Sequence, residues 1–157
     1  MKIQKLNIEQ LTRKQFDQIV VIEENCGLEP YTPEMLLDCI ENLDTYACMD
    51  GDSVAGFITI LPYPRKMGGG LYIVNLNVAQ SYRRRGLAQK LLTTACGAYL
   101  ESHKGSFVTL DVTKTNTPAR RLYEKLGFRL TDIPSQNGHT DVVMAVKLDT
   151  LCGRRCQ

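Results

Sequence analysis

The chain has 157 residues, 43% of them hydrophobic, and 19 Lys plus Arg against 17 Asp plus Glu give a formal charge of +2. That length suits one domain with a sizeable core, and so small a net charge excludes a globally polyanion-binding surface, so any basic function must be local. The six cysteines, at 26, 39, 48, 96, 152 and 156, form no Cys-x-x-Cys pair, and neither His103 nor His139 stands beside them at zinc-ligand spacing; no metal site is expected.

Residues 1–7 carry charge but no apolar signal core, and no run approaches the roughly 20 apolar residues of a membrane span, so a soluble, cytoplasmic protein with reduced thiols is expected. Residues 3–6 read as a short strand. Thr12-Arg13-Lys14-Gln15 is a capping-box pattern opening a helix that carries Phe16, Ile19, Val20 and Glu23. Thr32-Pro33-Glu34 opens a second helix, with Pro at its first position. Residues 46–49 and 54–61 are apolar runs joined by Asp50-Gly51-Asp52-Ser53, which argues for an antiparallel hairpin. Residues 62–70, with two Pro and three successive Gly, read as a mobile loop.

Residues 71–78 form the next strand. Leu87, Leu91, Leu92, Ala95 and Tyr99 recur at helical spacing, which predicts a helix from near Gly86 toward Ser102. Residues 107–112 alternate, with Val108, Leu110 and Val112 on one face and Thr109, Asp111 and Thr113 on the other. Asn116-Thr117-Pro118 starts a helix that reaches Leu126 and is ended by Gly127; strands follow at 128–131 and 142–148 around a turn at 134–138. The pattern is an α+β, three-layer α/β/α domain over residues 1–150. A tail at 151–157 follows, whose exposure would leave Cys152 and Cys156 accessible.

The junction 81–88 carries the clearest chemistry. A helix start leaves backbone N–H groups unpaired and bears about half a positive charge, so a phosphate docked there gains hydrogen bonds and a favourable field. Gly86 and Ala88 allow close approach, Leu87 turns to the core, and Arg83, Arg84 and Arg85 add permanent charge. One cluster of three arginines without a basic face or stacking aromatics does not describe a nucleic-acid binder.

The run 71–78 followed by 82–92 resembles the central strand and pyrophosphate loop of the GNAT superfamily of acyl-CoA-dependent N-acetyltransferases, and Arg83-Arg84-Arg85-Gly86-Leu87-Ala88 fits its Gln/Arg-x-x-Gly-x-Gly/Ala motif. Asn116-Thr117-Pro118-Ala119-Arg120-Arg121-Leu122-Tyr123-Glu124-Lys125-Leu126-Gly127-Phe128 resembles the family's second signature, Asn-x-x-Ala-x-x-Leu-Tyr-x-x-x-Gly-Phe. The catalytic half is nearest to the ribosomal-protein alanine N-acetyltransferase branch. The resemblance implies a mixed, mostly antiparallel sheet flanked by helices, with a splayed central strand. It implies that the backbones of Leu76, Asn77 and Val78 pair with the pantetheine arm of acetyl-CoA. Amides of Arg84, Arg85, Gly86, Leu87, Ala88 and Gln89 would hold its diphosphate beside Arg83, and Asn116, with Ala119, would touch the cofactor beyond. Two departures stand out: Gln80 replaces a frequent Pro, and Val74-Asn75 stand where many members place a catalytic carboxylate.

Tyr123 is the implied acid: a phenol near pKa 10 passing a proton to a thiolate near 8.5 is uphill by only about 2 kcal/mol. Asp111, twelve residues before Tyr123 as in that branch, is the implied base, acting directly or through water; water or Glu23, Glu24 or Glu29 are the other possibilities. The implied carbonyl polariser is the backbone N–H of Val78 or of a neighbour at a local bulge. Neutralising a lysine-like amine at pH 7 costs about 4 to 5 kcal/mol but an α-amino group only about 1, so a weak base favours the latter. The resulting expectation is acetyl transfer from acetyl-CoA to a primary amine on a small molecule or a protein N-terminus, by a monomer or homodimer. The alternative is an acyl-CoA sensor without catalysis. The absence of tyrosines from 134–140 leans toward a small acceptor.

Overall fold

The structure, a computed structural model, describes residues 1–26, 29–63 and 69–153. The loop reading at 62–70 therefore falls largely on residues 64–68, outside those described. The strands and helices run β1 (Lys2–Lys5), α1 (Arg13–Glu24), α2 (Pro33–Asn42), β2 (Asp44–Asp50), β3 (Ser53–Pro62), β4 (Leu71–Val78), α3 (Leu87–Gly97), β5 (Phe107–Thr113), α4 (Thr117–Lys125), β6 (Arg129–Leu130), β7 (Asp141–Lys147) and α5 (Leu148–Gly153). The seven strands are ordered β1-β2-β3-β4-β5-β7-β6, a mixed, mostly antiparallel sheet flanked by helices, as expected.

The chain divides into two compact units, Met1–Leu61 with Val74–Ala95, and Pro62–Ile73 with Cys96–Gln157. In the first, Thr12 caps α1 reciprocally: its hydroxyl accepts from Gln15 N–H at 3.1 Å while Gln15 Oε1 accepts from Thr12 N–H at 3.1 Å, the capping box read in the sequence. Thr32 caps α2 with Pro33 at the first turn. The two-residue hairpin Gly51-Asp52 joins β2 to β3, with Gly51 at φ 60; only glycine takes that conformation at little cost. Ile19, Ile22, Leu36, Ile40, Ala47, Val54 and Phe57 form this unit's core.

In the second unit, β5 pairs antiparallel with β7 from Phe107↔Lys147 to Thr113↔Asp141, and β4 joins β5 in parallel at Leu71↔Val108 and Tyr72↔Thr109. The expected alternation holds: Val108, Leu110 and Val112 are buried with Met144 and Val146. Two expectations fail. The helix after the arginine cluster ends at Gly97, not near Ser102: glycine is a poor helix former, and tight turns take over, with Tyr99 N–H to Cys96 O at 3.0 Å and Leu100 N–H to Gly97 O at 3.3 Å. Cys152 is not exposed, because α5 turns Leu148, Leu151 and Cys152 inward; Cys156 lies outside the described residues.

Candidate active site

In the first unit, β4 leads through a 3-10 turn at Gln80–Tyr82 into the arginine cluster and α3. Arg84 sits at φ 64 and Gly86 at φ 74, so two left-handed residues bracket Arg85 just before the helix. Turns of this kind are where successive N–H groups can be brought to one side to hold an anion, beside the unpaired amides that any helix start leaves. A Cβ placed on Gly86 would meet nothing within 4 Å, so there is open space beside this residue. Leu87 is buried at 7% exposure and anchors the helix start from beneath, as the sequence suggested.

The three arginines take different places. Arg83 folds back: its Nε donates to Val78 O at 3.1 Å and its Nη2 to Cys26 Sγ at 3.3 Å. Arg85 donates to Ser81 O at 3.3 Å and stacks its guanidinium 5.2 Å from the Tyr82 ring centroid. The Tyr82 hydroxyl in turn donates to Asp50 at 2.7 Å, tying the junction to the β2–β3 hairpin. Arg84 is exposed and its side chain has no hydrogen bond or ion pair among the described residues. Of the cluster, it is the one whose charge is uncommitted.

Along β4, Asn77 donates from Nδ2 to Glu23 Oε2 at 2.5 Å, and Ala79 N–H donates to Ala55 O at 2.8 Å. The Asn75 side-chain amide is buried and without a hydrogen-bond partner among the described residues, an arrangement that costs free energy. Gly56 of β3 is pressed against this segment: an added Cβ would lie 2.8 Å from Asn77 O and 3.3 Å from Val78 Cα. Glycine inside a strand is a signal of close backbone approach, and it is readable at Gly56 although its neighbour is not.

In the second unit, Asp111 of β5 accepts a hydrogen bond at Oδ2 from the Tyr72 hydroxyl of β4, while its Oδ1 is buried without a partner. Parallel pairing at Tyr72↔Thr109 puts Tyr72 on the same sheet face as Asp111, two residues along. Sequence reading missed Tyr72, because period two assigns it a face but not a neighbour. Tyr123, on α4, packs its ring edge against Phe128 with centroids 5.5 Å apart, and its hydroxyl makes no hydrogen bond among the described residues. Burial pushes the phenol up to about 12, so it remains protonated at every physiological pH. Asn116 is the N-cap of α4, its Oδ1 accepting from Ala119 N–H at 3.3 Å. That cap occupies the Ala119 amide, leaving the Asn116 Nδ2 and the Ala119 methyl as the groups able to meet a ligand. Among the described residues no group of three or more His, Cys, Asp or Glu side chains is arranged to hold a metal ion. Among the same residues no helix is long and apolar enough to cross a membrane.

With this geometry in view, residues 9–128 match the family model described as acetyltransferase (GNAT) family. The N-alpha-acetyltransferase of Sulfurisphaera tokodaii is 29% identical over 124 residues, covering 72% of this chain and 74% of that protein. The mycothiol acetyltransferase of Corynebacterium glutamicum is 32% identical over 95 residues, and there the match covers 60% of this chain but only 31% of that protein. Among solved structures, the ribosomal-protein-S18-alanine N-acetyltransferase from Escherichia coli superposes with a TM-score of 0.74 over 94% of this chain and 93% of that one, at 19% identity, which shows the shared fold.

Proposed function

Because the chain belongs to the GNAT acetyltransferase family, we propose that it moves the acetyl group of acetyl-CoA directly to a primary amine, of the α-amino class found at peptide and protein N-termini. The observation that carries this reading is the left-handed turn at Arg84 and Gly86 directly before the first turn of α3, with open space beside Gly86 and the uncommitted Arg84 exposed next to it. It offers a diphosphate hydrogen bonds, helix field and a permanent cation together. The backbones of Leu76, Asn77 and Val78 take the pantetheine arm as an added strand, and the unsatisfied Asn75 amide is a polar group that a bound ligand or water would complete.

In the proposed reaction the amine nitrogen attacks the thioester carbonyl carbon and the C–S bond breaks. The thiolate takes the Tyr123 proton, and the attacking nitrogen loses its own to Asp111, directly or through water. Raising the phenol to about 12 increases the cost of proton transfer to a free thiolate near 8.5 from about 2 to about 5 kcal/mol, a cost that transfer concerted with C–S cleavage would reduce. Asp111 shares Oδ2 with Tyr72 and keeps Oδ1 for the incoming amine or a water. The likeness to an N-alpha-acetyltransferase over most of the chain supports the α-amino acceptor, as does the low cost of deprotonating such a group. A small-molecule amine is the second reading, favoured by the lack of tyrosine at 134–140 and by the match to a mycothiol enzyme. We further propose that residues 1–150 act as one acyltransferase domain in the cytoplasm.

The test is calorimetry with acetyl-CoA, followed by a free-thiol assay with peptides bearing free α-amino groups beside a panel of small amines. Turnover on peptides alone supports the first acceptor class, turnover on small amines alone the second. No heat with coenzyme A removes the reading.

A further inference from the structure

Glu23, the penultimate residue of α1, is 6% exposed and is the one carboxylate in the buried class among the described residues. Both its oxygens are engaged. Oε1 accepts from the backbone N–H of Tyr31 at 3.3 Å, just before the α2 cap Thr32, and Oε2 accepts from Asn77 Nδ2 of β4 at 2.5 Å. No cation pairs with it among the described residues; the titratable groups that face it are Tyr31 and, from α2, Cys39, both neutral at physiological pH. A buried carboxylate without a counter-cation is costly unless its hydrogen bonds are needed. Here they join three segments at one point: the end of α1, the lead-in to α2, and β4.

We infer that Glu23 is a positioning residue, a latch that fixes Tyr31 and the start of α2 against β4 and so sets the two N-terminal helices, which the family resemblance implies line the acceptor site, relative to the strand that takes the pantetheine. The inference rests on the acetyl-transfer reading for its consequence, though not for its geometry. A general base needs a lone pair directed at the amine, whereas Glu23 has given an oxygen to each of two structural donors; the sequence alone placed it among possible bases. Asn77 is the complementary half. Its backbone lies in the strand assigned to the cofactor, while its side chain turns to α1.

Burial raises the Glu23 carboxyl above its ordinary value, against the lowering effect of the two donors. As pH falls through that raised value, protonation turns one carboxylate oxygen into a hydroxyl, and the Asn77 amide must flip so that its Oδ1 accepts from it; the join is kept while its hydrogen-bond partners change. Glutamine at position 23 can keep the connection at all pH values: its oxygen accepts from Tyr31 N–H, and its amide donates to Asn77 Oδ1 once that amide flips.

Two measurements on the full chain decide between latch and base. By NMR, the Tyr31 amide and the Asn77 side-chain amide should titrate together with a midpoint above 4.5, and Glu23→Gln should abolish that titration. In kinetics with saturating acetyl-CoA and a free α-amino peptide, Glu23→Ala and Asn77→Ala should raise the peptide KM about tenfold while kcat changes less than about threefold, and Glu23→Gln should stay near wild type. If Glu23→Ala fails to fold, Asn77→Ala and Glu23→Gln still decide. Independent titration of the two amides overturns the latch, and so does a Glu23→Gln enzyme that loses kcat at unchanged KM, the signature of a base. Wild-type protein that neither binds acetyl-CoA nor acetylates an amine would remove the acetyl-transfer reading alone, since the NMR titration judges the latch without substrate.

Discussion

The Tyr72 hydroxyl donates to Oδ2 of Asp111 across the parallel pair β4 and β5, and the other Asp111 oxygen lies buried and unpaired. A carboxylate held this way has its rotamer fixed by one oxygen and its chemistry concentrated on the other. The pair therefore behaves as a unit, and its members are best tested together.

Asp111→Asn should lower kcat by about two orders of magnitude or more with acetyl-CoA affinity unchanged, because general-base assistance is worth that much. Tyr72→Phe should have a smaller effect, and in the double variant the two losses should not add. Steady-state kinetics over pH 6 to about 10 checks this. Wild-type kcat in Asp111→Asn would assign the proton to water.

Tyr123→Phe should reduce kcat while leaving the calorimetric affinity for acetyl-CoA intact, since the hydroxyl serves the leaving thiolate and not the diphosphate. The folded phenol lies above its ordinary value of 10, at about 12, so its contribution to stability is complete below pH 10 and is lost as pH rises through 12. Thermal melts should fall over that alkaline window in wild type and fall less in Tyr123→Phe.

At the phosphate junction, Arg84→Gly should relieve a left-handed non-glycine residue and stabilise the fold by about 1 kcal/mol, yet weaken CoA binding and reduce its salt dependence. Gly86→Ala should do the reverse to the backbone, adding strain of about 1 kcal/mol without a clash. Arg83→Ala, whose guanidinium serves Val78 and Cys26, should affect stability more than CoA affinity. Denaturant melts beside CoA calorimetry separate the three.

Gly56→Ala should drive a methyl to within 2.8 Å of Asn77 O, where backbone cannot yield cheaply. A loss of about 1 to 3 kcal/mol in urea unfolding is expected, together with weaker acetyl-CoA binding as Asn77 and Val78 shift.

Glu23 has a raised folded value, so its favourable contribution is complete below about 4.5 and is lost as pH rises through the folded value. Glu23→Gln should consequently unfold at a higher temperature than wild type at pH 7, with the difference vanishing in acid. A melt series from pH 4 to about 8 reads it directly. Equal melting at every pH would mean that burial does not penalise this carboxylate.

The amino-acid sequence by itself determined the order of the elements from β1 to β7, the caps at Thr12, Thr32 and Asn116, and the helix start near Gly86, because local periodicity, capping chemistry and glycine placement act within a few residues; it missed the final helix α5. It also carried the two motifs by which the chain resembles its family. What only the tertiary structure decided are relations between segments distant in sequence: Tyr72 beside Asp111, Glu23 between Tyr31 and Asn77, Gly56 against β4, and the differing fates of Arg83, Arg84 and Arg85. Helix and strand periods assign a residue to a face, but its neighbour on that face depends on strand register and chain crossing, which are set by the packing of the whole core. Burial follows the same rule, and it is burial that lifts Tyr123 and Glu23 above their ordinary values and turns Cys152 inward.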